Sequence, residues 1–242
     1  MDSGRKYFYR YELDQTKLPD FFNRIIQVEQ TGATHTSRTY PGYPNWPLEK
    51  VKPRLWSHLE KTLLHRRSVR QFEREMLPRS ILSRLLFFGH GISGNISRGT
   101  IPSSGDLQAL ELYLVIFESS WINQGLYHYD RAGHYLSEIA KQADRNYWKD
   151  LIPSMVHFEG GALLWVLVGD GARITEKYGE RGYRFLLLEA GHLMQNLCLL
   201  SSEAKLCTLP LGGFLEESIA KEFHLPASDV VLYVGACGKI KK

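Results

Sequence analysis

Between Gly182 and Ser202 the chain is dominated by Leu, Met, Ala and Phe and contains no proline. Apolar residues fall on nearly every side of a 3.6-residue wheel, which predicts a helix buried all round, the spine of a core. One stripe breaks the pattern. Glu189, His192, Gln195 and Asn196 lie three or four positions apart and so share a face, where burial would penalise each of them without a hydrogen-bond partner. Internal bonds to neighbouring backbone, a bound ligand or a second subunit would each meet that need.

The 242 residues suffice for one sizeable core, or one core with a smaller appendage. A hydrophobic content of 43% and a charged content of 23%, with no repeat and no low-complexity tract, are those of an ordinary globular protein. The net charge of +4 is spread along the chain, which suits a small anionic cofactor better than a nucleic acid. Cys198, Cys207 and Cys237 form no CxxC pair, and the first two sit in apolar runs that predict buried thiols in a reducing compartment. The N-terminus has charges but no apolar signal core, and no run of 18 apolar residues occurs, so a cytoplasmic protein without membrane contact is expected. The scattered histidines and the absence of HExxH predict no metal site.

In chain order, residues 18–30 have helical spacing, and residues 31–53 carry Pro41, Pro44, Pro47 and Pro53, which predict an extended arm. The domain boundary is placed there: an N-terminal helix and arm over 1–54, and a main domain over 55–242. Leu55 to Arg66 forms a second helix. If the chain is extended beyond it, Arg66, Ser68 and Arg70 alternate onto one side and present two guanidinium forks and a hydroxyl to a phosphate; a solvated basic turn is the alternative. Ser80 to His90 is a helix with Ser80 as its cap. Gly89 to Gly94 satisfies GxGxxG literally, but a helical run precedes it, which is the wrong context for a dinucleotide fold.

The stretch Pro102-Ser103-Ser104-Gly105 exposes backbone N–H groups and hydroxyls. Asp106 and Gln108 behind it offer acceptor and amide groups suited to ribityl hydroxyls and a flavin ring edge, although a helix N-terminal turn would look similar. Leu110 to Glu118 and Gly125 to Tyr129 are strands, Glu138 to Leu151 a surface helix, and Gly161 to Gly169 a buried strand. After the spine helix, Gly212 and Gly213 let backbone approach a ligand closely. A short helix from Glu216 and a strand over Val230 to Ala236 complete the domain.

The run from Lys177 to Asn196 (KYGERGYRFLLLEAGHLMQN) resembles the signature of the SagB/ThcOx-type dehydrogenases, a branch of the FMN-dependent nitroreductase superfamily. Arg66-Arg67-Ser68 with Arg70 and Phe72 is similar to that superfamily's FMN-phosphate motif, and Pro102 to Gln108 to its second flavin motif, with Asp106 where many relatives carry Asn. The resemblance spans roughly Leu55 to Gly238. It implies an α+β nitroreductase-like fold, a mixed or antiparallel sheet packed among helices, in an interlocked homodimer with FMN at the subunit interface. The FMN contacts it implies are Arg66, Arg67, Ser68, Arg70, Pro102, Ser103, Ser104, Asp106, Gln108, Gly191, Gly212 and Gly213.

The activity implied is dehydrogenation of thiazoline or oxazoline rings in a peptide or peptide-derived product to azoles, within a peptide-modifying complex. Lys177 and Tyr178 match a Lys-Tyr pair associated with removal of the ring proton. A lysine serves as base when burial or a nearby cation lowers its pKa, and Arg173, Arg181 and Arg184 are close in sequence. An NAD(P)H-driven nitro or quinone reductase is the alternative enzyme, and a scaffold subunit the alternative outside enzymes.

Overall fold

The computed structural model describes residues 14–20, 22–23, 58–93, 98–141 and 143–241. Apart from 14–20 and 22–23, the arm expected over 1–54 lies outside the described residues, as does the proposed boundary. The main domain runs α1 (His58–His65), α2 (Arg79–His90), a two-stranded ribbon of β1 (Ile92–Ser93) and β2 (Arg98–Gly99), then β3 (Leu110–Ile116), β4 (Gly125–Asp130) and β5 (Tyr135–Ala140). It continues through α3 (Arg145–Leu151), β6 (Leu163–Gly169), α4 (Gly171–Tyr178), α5 (Arg181–Glu203), β7 (Leu206–Leu211), α6 (Glu216–Glu222) and β8 (Val230–Lys239).

Six strands form one antiparallel sheet in the order β5-β4-β3-β6-β8-β7. The seven residues of β6 are all buried, as a strand covered on both faces requires. Its side chains alternate between two cores. Leu163, Trp165 and Leu167 face a cluster with Leu110, Leu112 and Leu114 of β3, covered by Leu82, Leu85 and Leu86 of α2 and Leu193, Met194 and Leu197 of α5. Leu164, Val166 and Val168 face the opposite cluster, covered by Trp148 and Leu151 of α3, Met155, and Ile219 of α6. The expected α+β architecture, an antiparallel sheet among helices, is therefore present.

The spine helix α5 packs tightly on this sheet. A Cβ at Gly235 of β8 would meet the Met194 side chain at 3.0 Å. Buried polar groups tie it further: Ser201 Oγ and Thr208 Oγ1 are 2.8 Å apart, and Trp165 Nε1 donates to Thr208 Oγ1 at 3.1 Å. All three cysteines are free and buried here, and burial pushes the Cys198 and Cys237 thiols up to about 11. Among the described residues no helix is long and apolar enough to cross a membrane.

Three expectations are corrected. The spine is not buried all round: Leu187 and Leu188 are 41% and 55% exposed, and Arg184, Gly191, His192 and Gln195 share that open side. It ends at Glu203 without a glycine because Lys205 takes the left-handed conformation, φ +61°, that glycine usually supplies after a helix. The single helix expected over Glu138–Leu151 is instead strand β5, paired with β4, followed by the shorter α3, whose cap Asp144 accepts from Tyr147 N at 2.8 Å. Hairpin pairing outweighs the charge pattern there. Finally, Pro78 takes the N-cap position of α2, with no side-chain cap, and Ser80 lies within the helix.

Candidate functional site

Residues 102–108 form a tight turn against the first half of α5. Its backbone has positive φ at Gly105 (58°), Asp106 (56°) and Gln108 (53°), so it is no helix start. A left-handed conformation costs a non-glycine residue on the order of 1–3 kcal/mol and persists where surrounding contacts over-determine it. Those contacts are present. Glu189 Oε1 accepts from Ser104 N at 2.6 Å, a charge-assisted bond, and Gln108 N donates to Ser103 Oγ at 2.8 Å. Arg173 Nη1 donates to the Gln108 carbonyl at 2.7 Å, and Arg131 Nη2 to Gln108 Oε1. Gln108 Nε2 in turn donates to Asp106 Oδ1 at 2.5 Å.

Lys177 and Tyr178, at the end of α4, come to the same turn. Lys177 Nζ donates to the Gly105 carbonyl at 3.3 Å and lies 5.6 Å from the centre of the Tyr178 ring. A Cβ at Gly105 would collide with both the Tyr178 hydroxyl and the Lys177 ammonium, so only glycine permits this approach. Two segments 72 residues apart in the chain thus meet at one place. Of the arginines expected to act on Lys177, Arg173 is committed elsewhere, to Asp170 at 3.0 Å and Glu111 at 3.5 Å, and Arg181 lies 5.8 Å from the Phe185 ring centre.

Beyond α1 the chain leaves the helix, with no regular structure over 66–69 and a bend at Arg70, and Arg66 Nη1 donates to Ser68 Oγ at 3.4 Å, placing those two side chains together. Ser68 and Arg70 are exposed. Arg67 behaves differently: its Nη1 donates to the Leu64 and Arg66 carbonyls at 2.7 and 2.9 Å and closes the C-terminal end of α1. This segment lies beside Cys198 and Cys207, whose thiols feel the Arg66 charge, whereas the 102–108 turn lies beside Glu189. Nine residues of helix separate Glu189 from Cys198, about 13 Å along the axis. Within one chain the two motifs face different parts of the spine.

A Cβ at Gly191 or at Gly212 would meet nothing within 4 Å, so the chain's own packing does not explain either glycine. In a helix interior, glycine costs about 0.8–1.0 kcal/mol relative to alanine, which points to close approach from outside at Gly191. Gly213 faces inward instead: it is buried, and its carbonyl accepts from Ser154 N at 3.3 Å.

Two supports escaped the sequence reading. Arg131, at the tip of the β4–β5 hairpin, grips Gln108 from 23 residues away, with no local signal to mark it. Behind it stands a polar cluster in which His128 Nε2 is 3.0 Å from Glu111 Oε2. Burial alone would raise the Glu111 pKa, but His128 and Arg173 hold it below the ordinary carboxylate value. His90 is 1% exposed, and its Nε2 donates to the Leu110 carbonyl at 2.9 Å. Burial, with the Arg131 charge adding to it, lowers the His90 pKa to about 4. Among the described residues no three His, Cys, Asp or Glu side chains are grouped to hold a metal.

The nitroreductase family model matches residues 63–239, most of the chain. A nitroreductase-type protein of Methanocaldococcus jannaschii, MJ1384, is 27% identical over 161 residues, covering 66% of this chain and 81% of that protein. The microcin B17-processing protein McbC of Escherichia coli is 26% identical over 182 residues, and the match spans 65% of each of the two. The fold is also similar to a chain of the E. coli microcin synthetase McbBCD complex with truncated pro-MccB17 bound, at a TM-score of 0.72 and 18% identity over 88% of this chain and 81% of that one. At that identity the likeness is one of fold. The extent of the family match, together with the antiparallel sheet among helices, shows that the chain belongs to the nitroreductase family of flavin-dependent oxidoreductases.

Proposed function

We propose that the protein is an FMN-dependent dehydrogenase that oxidises azoline rings of a peptide or peptide-derived product to azoles, acting as a homodimer. The residues present fit FMN. Glu189 Oε2 is buried without a partner beside the 102–108 turn, and the turn itself is held in a conformation that ligand clamps favour. Arg66, Ser68 and Arg70 would hold the phosphate. Ser103, Ser104, Asp106 and Gln108 would face the ribityl chain and ring, with Pro102 shaping the turn, and Gly191 and Gly212 would permit close approach. Arg67 and Gly213 would act indirectly, through the bonds they make within the chain.

The second subunit is supported by apolar surface. The α1 helix has no buried residue yet carries Leu59, Leu63 and Leu64, each at least half exposed, and it packs beside α5 with its open Leu187 and Leu188. Leaving that surface in water forfeits roughly 25 cal/mol per Å² of burial, and a second copy would cover it. A dimer would also let one subunit's 102–108 turn approach the other's phosphate motif, closing the distance that separates them in a single chain.

One observation carries the choice of reaction: Lys177 and Tyr178 sit directly on the turn that would face the flavin. Aromatising an azoline removes one proton and one hydride. FMN, when bound, accepts the hydride. Lys177 Nζ would take the ring proton. The Tyr178 hydroxyl would orient the substrate or relay that proton. Likeness to McbC, a microcin-processing protein, and to a chain of a microcin synthetase complex supports a peptide substrate and a place in a peptide-modifying assembly.

Lys177→Ala should lose on the order of a hundredfold to ten-thousandfold in azoline oxidation while keeping its flavin absorbance. A reductase fed by NAD(P)H needs no base on the substrate side and would change only a few-fold. A yellow Lys177→Ala protein with full activity would overturn the assignment.

A further inference from the structure

Gln108 is held between a group that can only donate and one that, when ionised, can only accept. Arg131 Nη2 donates to Gln108 Oε1, while Gln108 Nε2 donates to Asp106 Oδ1 at 2.5 Å. A guanidinium has no acceptor and a carboxylate no donor, so the amide has one allowed orientation. In that orientation Gln108 keeps one N–H, and Asp106 keeps its second oxygen. The pair therefore offers a donor beside an acceptor. The pyrimidine edge of a flavin, a carbonyl beside an N–H, has the complementary pattern.

We infer that Arg131 is a positioning residue for the cofactor: it locks the Gln108 amide so that Gln108 and Asp106 together read the carbonyl and N3–H of the flavin ring. The inference rests on the FMN reading above and deepens it. It assigns the carboxylate at 106 a task that an amide does not need: Asp106 accepts from N3–H, and Gln108 supplies the donor. Arg131 suits the task because its guanidinium is half-buried at a hairpin tip, fixed by β4 and β5, with the Gly99 backbone directly over its contact with Gln108. A Cβ at Gly99 would lie 3.0 Å from Gln108 Oε1 and 3.6 Å from Arg131 Nη2, so the lock has no spare room.

The test is equilibrium binding of FMN and of N3-methyl-FMN to the flavin-free full chain, read by quenching of flavin fluorescence. The parent should bind FMN at least about tenfold more tightly than the N3-methyl analogue, since the methyl removes the donor and leaves Asp106 unsatisfied. Arg131→Met should weaken FMN about tenfold and cut that discrimination to within about threefold. Gln108→Leu with Arg131→Met should be no weaker than Gln108→Leu alone, because the arginine acts through the glutamine. Additive losses, or a discrimination that Arg131→Met leaves intact, would overturn the inference. Should Arg131→Met not fold, Gln108→Glu tests the same contact: it strengthens the bond to Arg131 but faces Asp106 with a second carboxylate, and unchanged FMN affinity would be equally fatal. A parent chain that binds no FMN at all would instead refute the cofactor reading.

Discussion

Arg66, Ser68 and Arg70 show how far a single residue can be understood from its neighbours in the chain. Their alternation predicts a phosphate cradle, and the structure brings the Arg66 and Ser68 side chains together. Arg70→Ala should weaken FMN binding about tenfold to a hundredfold, the loss of one charge-assisted fork worth roughly 1.5–3 kcal/mol; titration of the flavin-free protein checks it, and unchanged affinity would remove Arg70 from the phosphate site. Arg67 was less legible. Its type and position match the motif, but its guanidinium bonds the Leu64 and Arg66 carbonyls, a contact that depends on where α1 stops. Arg131 was not legible at all, because its partner Gln108 lies across the hairpin. Glu189 was half legible: the need for a partner could be inferred, but the partner, Ser104 N–H, comes from 85 residues away.

Among the elements, α5 sets the scale of both the core and the site. Its inner face carries Leu186, Leu193 and Leu197, none exposed to solvent, while its outer face presents Leu187, Leu188 and the unexplained Gly191. Gly191→Ala separates local preference from assembly. In the dissociated, flavin-free chain it should stabilise the helix by up to about 1 kcal/mol, visible as a higher urea midpoint. In the intact protein it should weaken FMN binding or subunit association, so that light scattering at micromolar concentration shifts from about twice the 27.8 kDa chain mass toward that mass. A variant with unaltered affinity and unaltered mass would show that nothing approaches this glycine. The same helix explains why a wheel drawn from sequence overstated burial: Leu187 and Leu188 on an outer face look like core until the sheet is known to lie on one side only.

For the whole molecule, acid sensitivity should follow from His90, buried against the start of β3, the strand that follows the turn. Its folded pKa, about 4, lies below the ordinary 6.5, so between those values the unfolded chain binds more protons. Its contribution is complete above pH 6.5 and is lost as the pH falls toward 4, by up to about 3 kcal/mol. Urea unfolding from pH 7 to 4 should show that slope, and His90→Gln should flatten it; an equal slope in both would assign the acid response to other groups. The buried strand β6 was legible because an unbroken apolar run is local order, and the fold class was legible through the resemblance of three motif segments to a known family. Only the tertiary structure decided that β5 pairs with β4 instead of joining a helix, that Lys177 and Tyr178 reach Gly105, and that Arg131 orients Gln108. Those outcomes depend on contacts between segments distant in the chain, and residue order encodes such contacts only through the packing of the complete core.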